Sequence, residues 1–368
     1  MRILYGVVGE GMGHAMRSRV ILEHLSAQGH EVEVIASGRA AKFLSDRFGE
    51  HGDVHRIHGL HIVYDDNRVR RGSTLWSNVL GGTAAIPSQI GAYFELISDF
   101  RPEVVISDFE SWTYYFAKSH RLPILSIDNM QILNRCSIDE EVIDGSAPWP
   151  KSHRADFEIA KAFVKGKLPF CDHYLITTFF RPPIRKPDTT LFPPILRPEI
   201  LAAKRSRGEH LLVYQTAEGG DTLEQTLRKS GLPCRVYGIR RNITADEVEG
   251  NLTYRPFSEG GFIEDLASSR GVIAGGGFTL MGEAVYLHKP MLSIPIRGQF
   301  EQVLNGRYLH KLGYGRFAES LDDPQVILDF IEAIPSCEQA LASYAQDGNR
   351  EILAAVDQHL DRAAADVY

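Results

Sequence analysis

The sequence predicts an α/β protein made of two halves, each a parallel sheet covered by helices, and two observations lead there. Short apolar runs alternate with amphipathic stretches almost from the first residue, the pattern of repeated strand–helix units. That rhythm stops at 181–198, where six prolines fall within 17 positions, and it restarts at Leu211. Neither a helix nor a central strand tolerates proline at that density, so the stretch reads as a linker. With 368 residues, 43% of them hydrophobic and 24% charged, the chain can bury two ordinary cores.

In the first half, residues 3–8 read as a strand and 14–28 as a helix ended by Gly29. The next strands are 31–36, 104–106 and 124–127, with a long, partly helical stretch around 76–100. In the second half, 211–214 is a strand and 216–220 a polar loop, and Asp221 with Glu224 resembles a capping box. An apolar run at 271–274 then leads through three glycines into a helical segment, and 291–295 is the following strand. Each half opens with a strand, a glycine-containing loop and a helix, which describes paired Rossmann-like domains. Their expected bounds are 1–180 and 199–368 around the linker 181–198, with the last helix packing back on the first domain. Such a pair places a ligand in the cleft between its members.

The net charge of −7 gives no general attraction to nucleic acid. Cys136, Cys171, Cys234 and Cys337 are scattered, without a CxxC pair or zinc-type spacing, so a reduced, cytoplasmic compartment is expected. The apolar run after Met1 is too short for a signal peptide, and no run approaches the ~20 residues that span a bilayer. A soluble protein is expected, with peripheral contact at the inner face of a membrane left open.

The most informative segment runs from Gly275 to Gln302. Gly275, Gly276 and Gly277 close an apolar run just before a helix, which aims unhindered backbone N–H groups at the positive end of a helix dipole, a place that binds phosphate. Glu283, about one turn further in, and Glu301 with Gln302, after the next strand, offer donors and acceptors for ribose and sugar hydroxyls. The segment therefore indicates a nucleotide-sugar.

At Gly275, Gly276, Gly277, Glu283, Pro290, Pro295, Glu301, Gln302 and Asn305 the segment resembles the donor site of GT-B glycosyltransferases, the MurG-like and UDP-glycosyltransferase group. The resemblance implies that Thr216 contacts phosphate or sugar, that the nucleobase rests at Phe257 through its backbone, and that Glu283 bridges the ribose diol. It also implies that Glu301 and Gln302 face the transferred sugar. Gly275 stands where the plant enzymes carry histidine, so phosphate contact falls to backbone amides and Thr279. The plainer alternatives are a core aromatic at Phe257, a surface helix residue at Glu283, and a capping pair at Glu301 and Gln302.

After the first strand come Gly9, Gly11, Gly13 and His14; a dinucleotide fingerprint would need glycine where His14 stands. The loop resembles the Gly-His turn of GT-B enzymes, which implies that Gly11 and Gly13 border the donor and that His14 is the general base for an acceptor hydroxyl. Asp108, 94 residues on at a strand end, is the carboxylate that would orient the imidazole. Alternatively Asp108 caps the helix beginning near Ser111. Asp128 and Asn129, near Gln131, suit an acceptor hydroxyl, and Trp76 with Arg68, Arg70 and Arg71 suits either an acceptor pocket, anionic lipid or a plain surface loop.

His51, His55, His58 and His61 read as strand and loop histidines, because Gly52 and Gly59 break any helical spacing that would gather them on one face. No Asp-x-Asp motif is present, so no metal or other cofactor is expected, and the departing diphosphate would rest on amides and a helix dipole. The expected activity is inverting, metal-independent transfer from a nucleoside-diphosphate sugar, UDP by resemblance, to a hydroxyl of a small-molecule, lipid-linked or glycan acceptor. A nucleotide-sugar 2-epimerase and a non-catalytic nucleotide-sugar-binding protein are the alternatives.

Overall fold

The structure, a computed structural model, describes residues 1–9, 11–49, 54–57, 64–65, 68–69, 97–215 and 221–365. The chain forms two compact units: Met1–Ile138, Phe157–Ile195 and Asp347–Tyr368 make the first, and Asp139–Asp156 with Leu196–Gln346 make the second. The boundaries differ from the expected 1–180 and 199–368. Residues 181–195 are not a free linker but belong to unit 1, where Thr189–Phe192 is an edge strand. The edge is where a sheet tolerates neighbouring prolines. Pro198 opens the short helix Pro198–Ala202, a position where its missing N–H leaves no bond unmade.

The strands of unit 1 are β1 (Arg2–Val7), β2 (Glu31–Ser37), β3 (Val54–Ile57), the small pair β4 (Tyr64–Asp65) and β5 (Arg68–Val69), β6 (Val104–Asp108), β7 (Ile124–Asp128), β8 (His173–Thr177) and β9 (Thr189–Phe192). Seven of them form one parallel sheet in the order β3-β2-β1-β6-β7-β8-β9. Central strands of such a sheet are covered on both faces and so read as unbroken apolar runs, as β1 does. Ile3, Tyr5 and Val7 pack with Ile21 and Leu25 of the helix Met12–Ala27. The last helix, Arg350–Ala365, adds Ile352, Val356 and Leu360 to the same core, a stripe at four-residue spacing.

Unit 2 holds β10 (Leu211–Tyr214), β11 (Cys234–Tyr237), β12 (Glu247–Glu249), β13 (Leu252–Tyr254), β14 (Gly271–Ala274), β15 (Met291–Ser293) and β16 (Gly315–Phe317). Their order is β12-β13-β11-β10-β14-β15-β16, parallel except for the edge strand β12. Val213, Val236, Ile273 and Leu292 meet Ile327, Phe330 and Ile334 of the helix Gln325–Leu341 in its core.

Each sheet grows in both directions from its first strand, so each has a point where the strand order reverses: between β1 and β6 in unit 1, and between β10 and β14 in unit 2. Loops leaving the strand ends part there, which is where open α/β sheets receive ligands. All four cysteines are buried and free. Among the described residues no helix is long and apolar enough to cross a membrane.

Candidate functional site

In unit 1 the turn after β1 is shaped by its glycines. Gly11 caps the helix Met12–Ala27 at φ 87°, in the left-handed region that favours glycine. At Gly9 a Cβ would lie 2.3 Å from the backbone oxygen of Ser37, so the turn packs directly on the end of β2. Gly13 lies in the first turn of the helix, and His14 follows it at the sheet's reversal point. Across the sheet Val7 is in register with Asp108, which brings two residues 94 positions apart to one edge.

His14 Nδ1 lies 2.7 Å from Asp108 Oδ1. The carboxylate is fully buried and accepts three more bonds: from Arg17 Nε on Oδ2 at 2.7 Å, from Arg17 Nη2 on Oδ1 at 2.5 Å, and from Ser18 Oγ on Oδ2 at 2.9 Å. Arg17 Nη1 donates to Asn129 Oδ1 at 2.6 Å. The expected pair is thus a cluster in which the carboxylate is shared between an imidazole and a guanidinium. Asp108 does not cap the following helix; Glu110 does, accepting from the backbone of Trp112 and Thr113.

Burial alone would raise the Asp108 carboxyl, but Arg17 and then His14 outweigh it and hold it below the usual carboxylate range. Burial first, and then the neighbouring Arg17, push the His14 imidazole down, against the pull of Asp108. His14 Nδ1 faces two groups: the Asp108 carboxylate at 2.7 Å, which calls for the ring proton on Nδ1, and the Arg17 Nη2 donor at 2.6 Å, which calls for a lone pair there. With the proton on Nδ1, the tautomer that the carboxylate favours, the neutral ring carries its lone pair on Nε2. Phe109, at φ 57°, stacks its ring on His14 with centroids 6.4 Å apart, and Lys167 Nζ lies 5.4 Å from the centre of the Phe109 ring.

Asp128 and Asn129, expected at the acceptor, are both buried and hydrogen-bonded within the protein. Asp128 is buried, its oxygens accept from Gln131 N and Ser126 Oγ, and burial raises its pKa to about 6. Asn129 is buried with its carbonyl on Arg17. Trp76, Arg70, Arg71, His51, His58 and His61 lie outside the described residues, and of Arg68 only the backbone, in β5, is described. His55 lies in β3, 3.4 Å from Glu33. Among the described residues, no three His, Cys, Asp or Glu side chains gather as a metal site would need.

In unit 2, Gly275, Gly276 and Gly277 join β14 to the helix Phe278–Tyr286. They differ in what they do. A Cβ on Gly276 would lie 2.6 Å from the backbone oxygen of Gln302, whereas one on Gly277 would meet nothing within 4 Å. Gly276→Ala should therefore lower stability by about 1–3 kcal/mol, and Gly277→Ala should leave it almost unchanged. Thermal melts of the two variants check this; equal melting points would contradict the close approach.

Gln302, expected to face the sugar, is engaged within the protein. Its Oε1 accepts from Gly276 N at 3.3 Å and from Ile296 N at 3.0 Å, so it ties the glycine turn to the loop after β15. Asn305 Nδ2 donates to the Gly276 carbonyl at 3.2 Å and to Glu301 Oε1 at 2.7 Å. The Gly276 amide is thereby taken. Gly277 is the exposed helix cap, without a side-chain capping bond and with no acid in the first turn. The amides of Phe278 and Thr279 have no acceptor within their own helix. Thr279 is half-buried there, and Glu301 lies in the first turn of the helix Phe300–Lys311.

Glu283 is the largest departure from expectation. Both of its oxygens accept from Arg197, at 2.8 Å and 3.0 Å, and Arg197 also donates to Glu259 at 2.8 Å. Glu283 is 2% exposed and Arg197 7%. Both oxygens of the carboxylate are thus engaged within the protein. Burial acts against the Arg197 cation, but the two carboxylates outweigh it and keep the guanidinium charged.

Phe257 is 70% exposed, so it is not a core aromatic. Its ring lies 6.0 Å from Phe262, which packs against Tyr214 and Tyr237. Thr216 and the side chain of Asp221 lie outside the described residues; Glu224 accepts from the Tyr254 hydroxyl. Two residues of these clusters escaped the sequence reading. Arg17 was within reach of it, three positions after His14 on one helix face, whereas Arg197 sits 86 residues from Glu283 with no local signal.

The arrangement can be set beside known proteins. A glycosyltransferase of kitacinnamycin has the same fold at TM-score 0.65, with 15% identity over 98% of each chain. The Phytolacca americana UGT solved with UDP-2-fluoro-glucose and pterostilbene gives 0.65 and 13%, covering 99% of this chain and 98% of that one. Calicheamicin glycosyltransferase gives 0.63 and 14%, over 99% and 98%. These likenesses show a GT-B fold. In sequence, an uncharacterised glycosyltransferase of Methanosarcina mazei is 24% identical over 363 residues, 91% of this chain and 90% of its own length. Residues 1–335 match the sequence profile described as glycosyl transferase family 1, and the chain, a transferase enzyme, belongs to that family.

Proposed function

We propose that the protein is an inverting, metal-independent glycosyltransferase that uses a UDP-sugar and takes the acceptor proton on His14. The observation that carries this reading is the His14 imidazole 2.7 Å from the buried Asp108 carboxylate, a partner that favours the Nδ1–H tautomer and with it a lone pair on Nε2. The acceptor oxygen attacks the anomeric carbon while its proton passes to Nε2. The bond from that carbon to the diphosphate breaks on the opposite side, and the configuration inverts. Asp108 then faces an imidazolium, which it stabilises.

On the donor side, Gly277, the amides of Phe278 and Thr279 and the Thr279 hydroxyl sit at the positive end of a helix and suit the charge growing on the leaving diphosphate. Gly275 shapes the approach to that turn, Glu301 suits a sugar hydroxyl, and the exposed Phe257 suits a nucleobase. The UDP-sugar named for the Phytolacca protein supports UDP as the nucleotide.

NMR of the products from a panel of UDP-sugars, with and without an acceptor alcohol, tests the reading. The expected product is a glycoside of opposite anomeric configuration, formed only with acceptor. A new sugar nucleotide formed without acceptor would mark a 2-epimerase instead, and retained configuration would remove the single-displacement step. Turnover after exhaustive EDTA treatment should be unchanged; a loss restored by Mg²⁺ would overturn metal independence.

A further inference from the structure

Arg17 transfers no proton in this reaction, yet it is the most heavily committed side chain around His14. It is 5% exposed, grips both oxygens of Asp108, holds Asn129, and brings Nη2 within 2.6 Å of His14 Nδ1 itself. Its contacts join three elements: the helix Met12–Ala27, the end of β6 and the turn after β7. Burying a guanidinium carries a desolvation penalty of several kcal/mol, and a helix face needing only packing would carry an aliphatic residue there. We propose that Arg17 is the positioning residue of the transfer: it fixes Asp108 where its Oδ1 meets Nδ1–H, and it keeps the imidazole neutral with Nε2 ready for the acceptor proton. This rests on His14 being the base.

The charged and titratable groups around the imidazole are Arg17 on its own helix, Asp108 on β6 and Lys167 at the end of the helix Arg154–Lys167. Asp128 on β7 acts on Arg17, and Tyr5 on β1 faces Asp108. Two cations thus oppose one carboxylate at His14. Removing Arg17 leaves Asp108 unshared, which favours the imidazolium and extends it to higher pH.

The sign of the pH effect follows. The base works only when neutral, so activity is present above the imidazole titration and lost as pH falls through it. Arg17→Met should move the acidic limb of kcat/KM upward by about one pH unit or more. Arg17→Lys keeps the charge but not the two-toothed grip, so it should hold the limb near its original position while lowering kcat.

These pH–rate profiles are to be measured beside ¹H–¹⁵N spectra of the full chain labelled at histidine, which read the tautomer and titration of His14 without turnover. Limb and imidazole rising together in the Met variant is the expected result. If both stay in place while kcat falls equally at every pH, Arg17 is merely structural and the proposal is overturned. If the imidazole rises and the limb does not, His14 is not the base, and the failure lies in that reading. Should Arg17→Met not fold, the unmodified protein decides: an Nδ1–H ring titrating below the ordinary 6.5 supports the proposal, and an Nε2–H ring or a titration above that value defeats it.

Discussion

Replacing His14 with alanine is expected to lower kcat by roughly 10²–10⁴-fold, the usual contribution of a positioned general base, and to leave donor binding intact. This is the cleanest single change in unit 1, because the imidazole is 15% exposed and its removal leaves Asp108 still paired with Arg17. Asp108→Asn is less informative: it removes the tautomer lock and also strands a buried guanidinium, so lost activity would mix chemistry with folding. Donor binding in the alanine variant can be followed as the rise in Tm with UDP-sugar concentration. Turnover that persists at the original rate would dismiss His14 as base; lost donor binding would move it to the donor site instead.

The largest effect on stability should come from the Arg197–Glu283 pair. Arg197→Met leaves a buried carboxylate uncompensated, and breaking a buried pair in this way costs about 3–5 kcal/mol, a fall in Tm on the order of 10 °C. Glu283→Leu alone should cost less, because Arg197 keeps Glu259, whose side chain is 36% exposed. The double variant should recover much of the loss, since an apolar pair of similar volume often replaces a buried ion pair without penalty. Calorimetry of the three variants decides: a double variant no more stable than Arg197→Met would mean that packing, and not charge, holds this site.

Much of the fold was legible because it is written in local patterns. Apolar runs marked β1, β2, β10 and β14, and the glycine turns after β1 and β14 stood where the structure places helix starts. The His14–Asp108 contact was also readable, since both residues follow or end buried strands that the sheet order makes neighbours. What escaped was long-range pairing. Nothing near Glu283 or Gln302 announces that one meets Arg197 and the other the Gly276 amide. The prolines at 181–198 misled for a related reason: they exclude helix and central strand but permit an edge strand, and β9 is one.

The division of the chain has a consequence for recombining this protein with its relatives. Unit 2 draws on Asp139–Asp156 as well as Leu196–Gln346, and the two pieces are fastened by Arg307, fully buried, which donates to the carbonyls of Val142 and Lys151 and to Glu319. A chimera with a single crossover near 195 would inherit the first piece from one parent and the arginine from the other. Exchanging unit 2 by grafting therefore calls for 139–156 to travel with 196–346, and for the closing segment from Asp347 onward to stay with the parent that supplies β1.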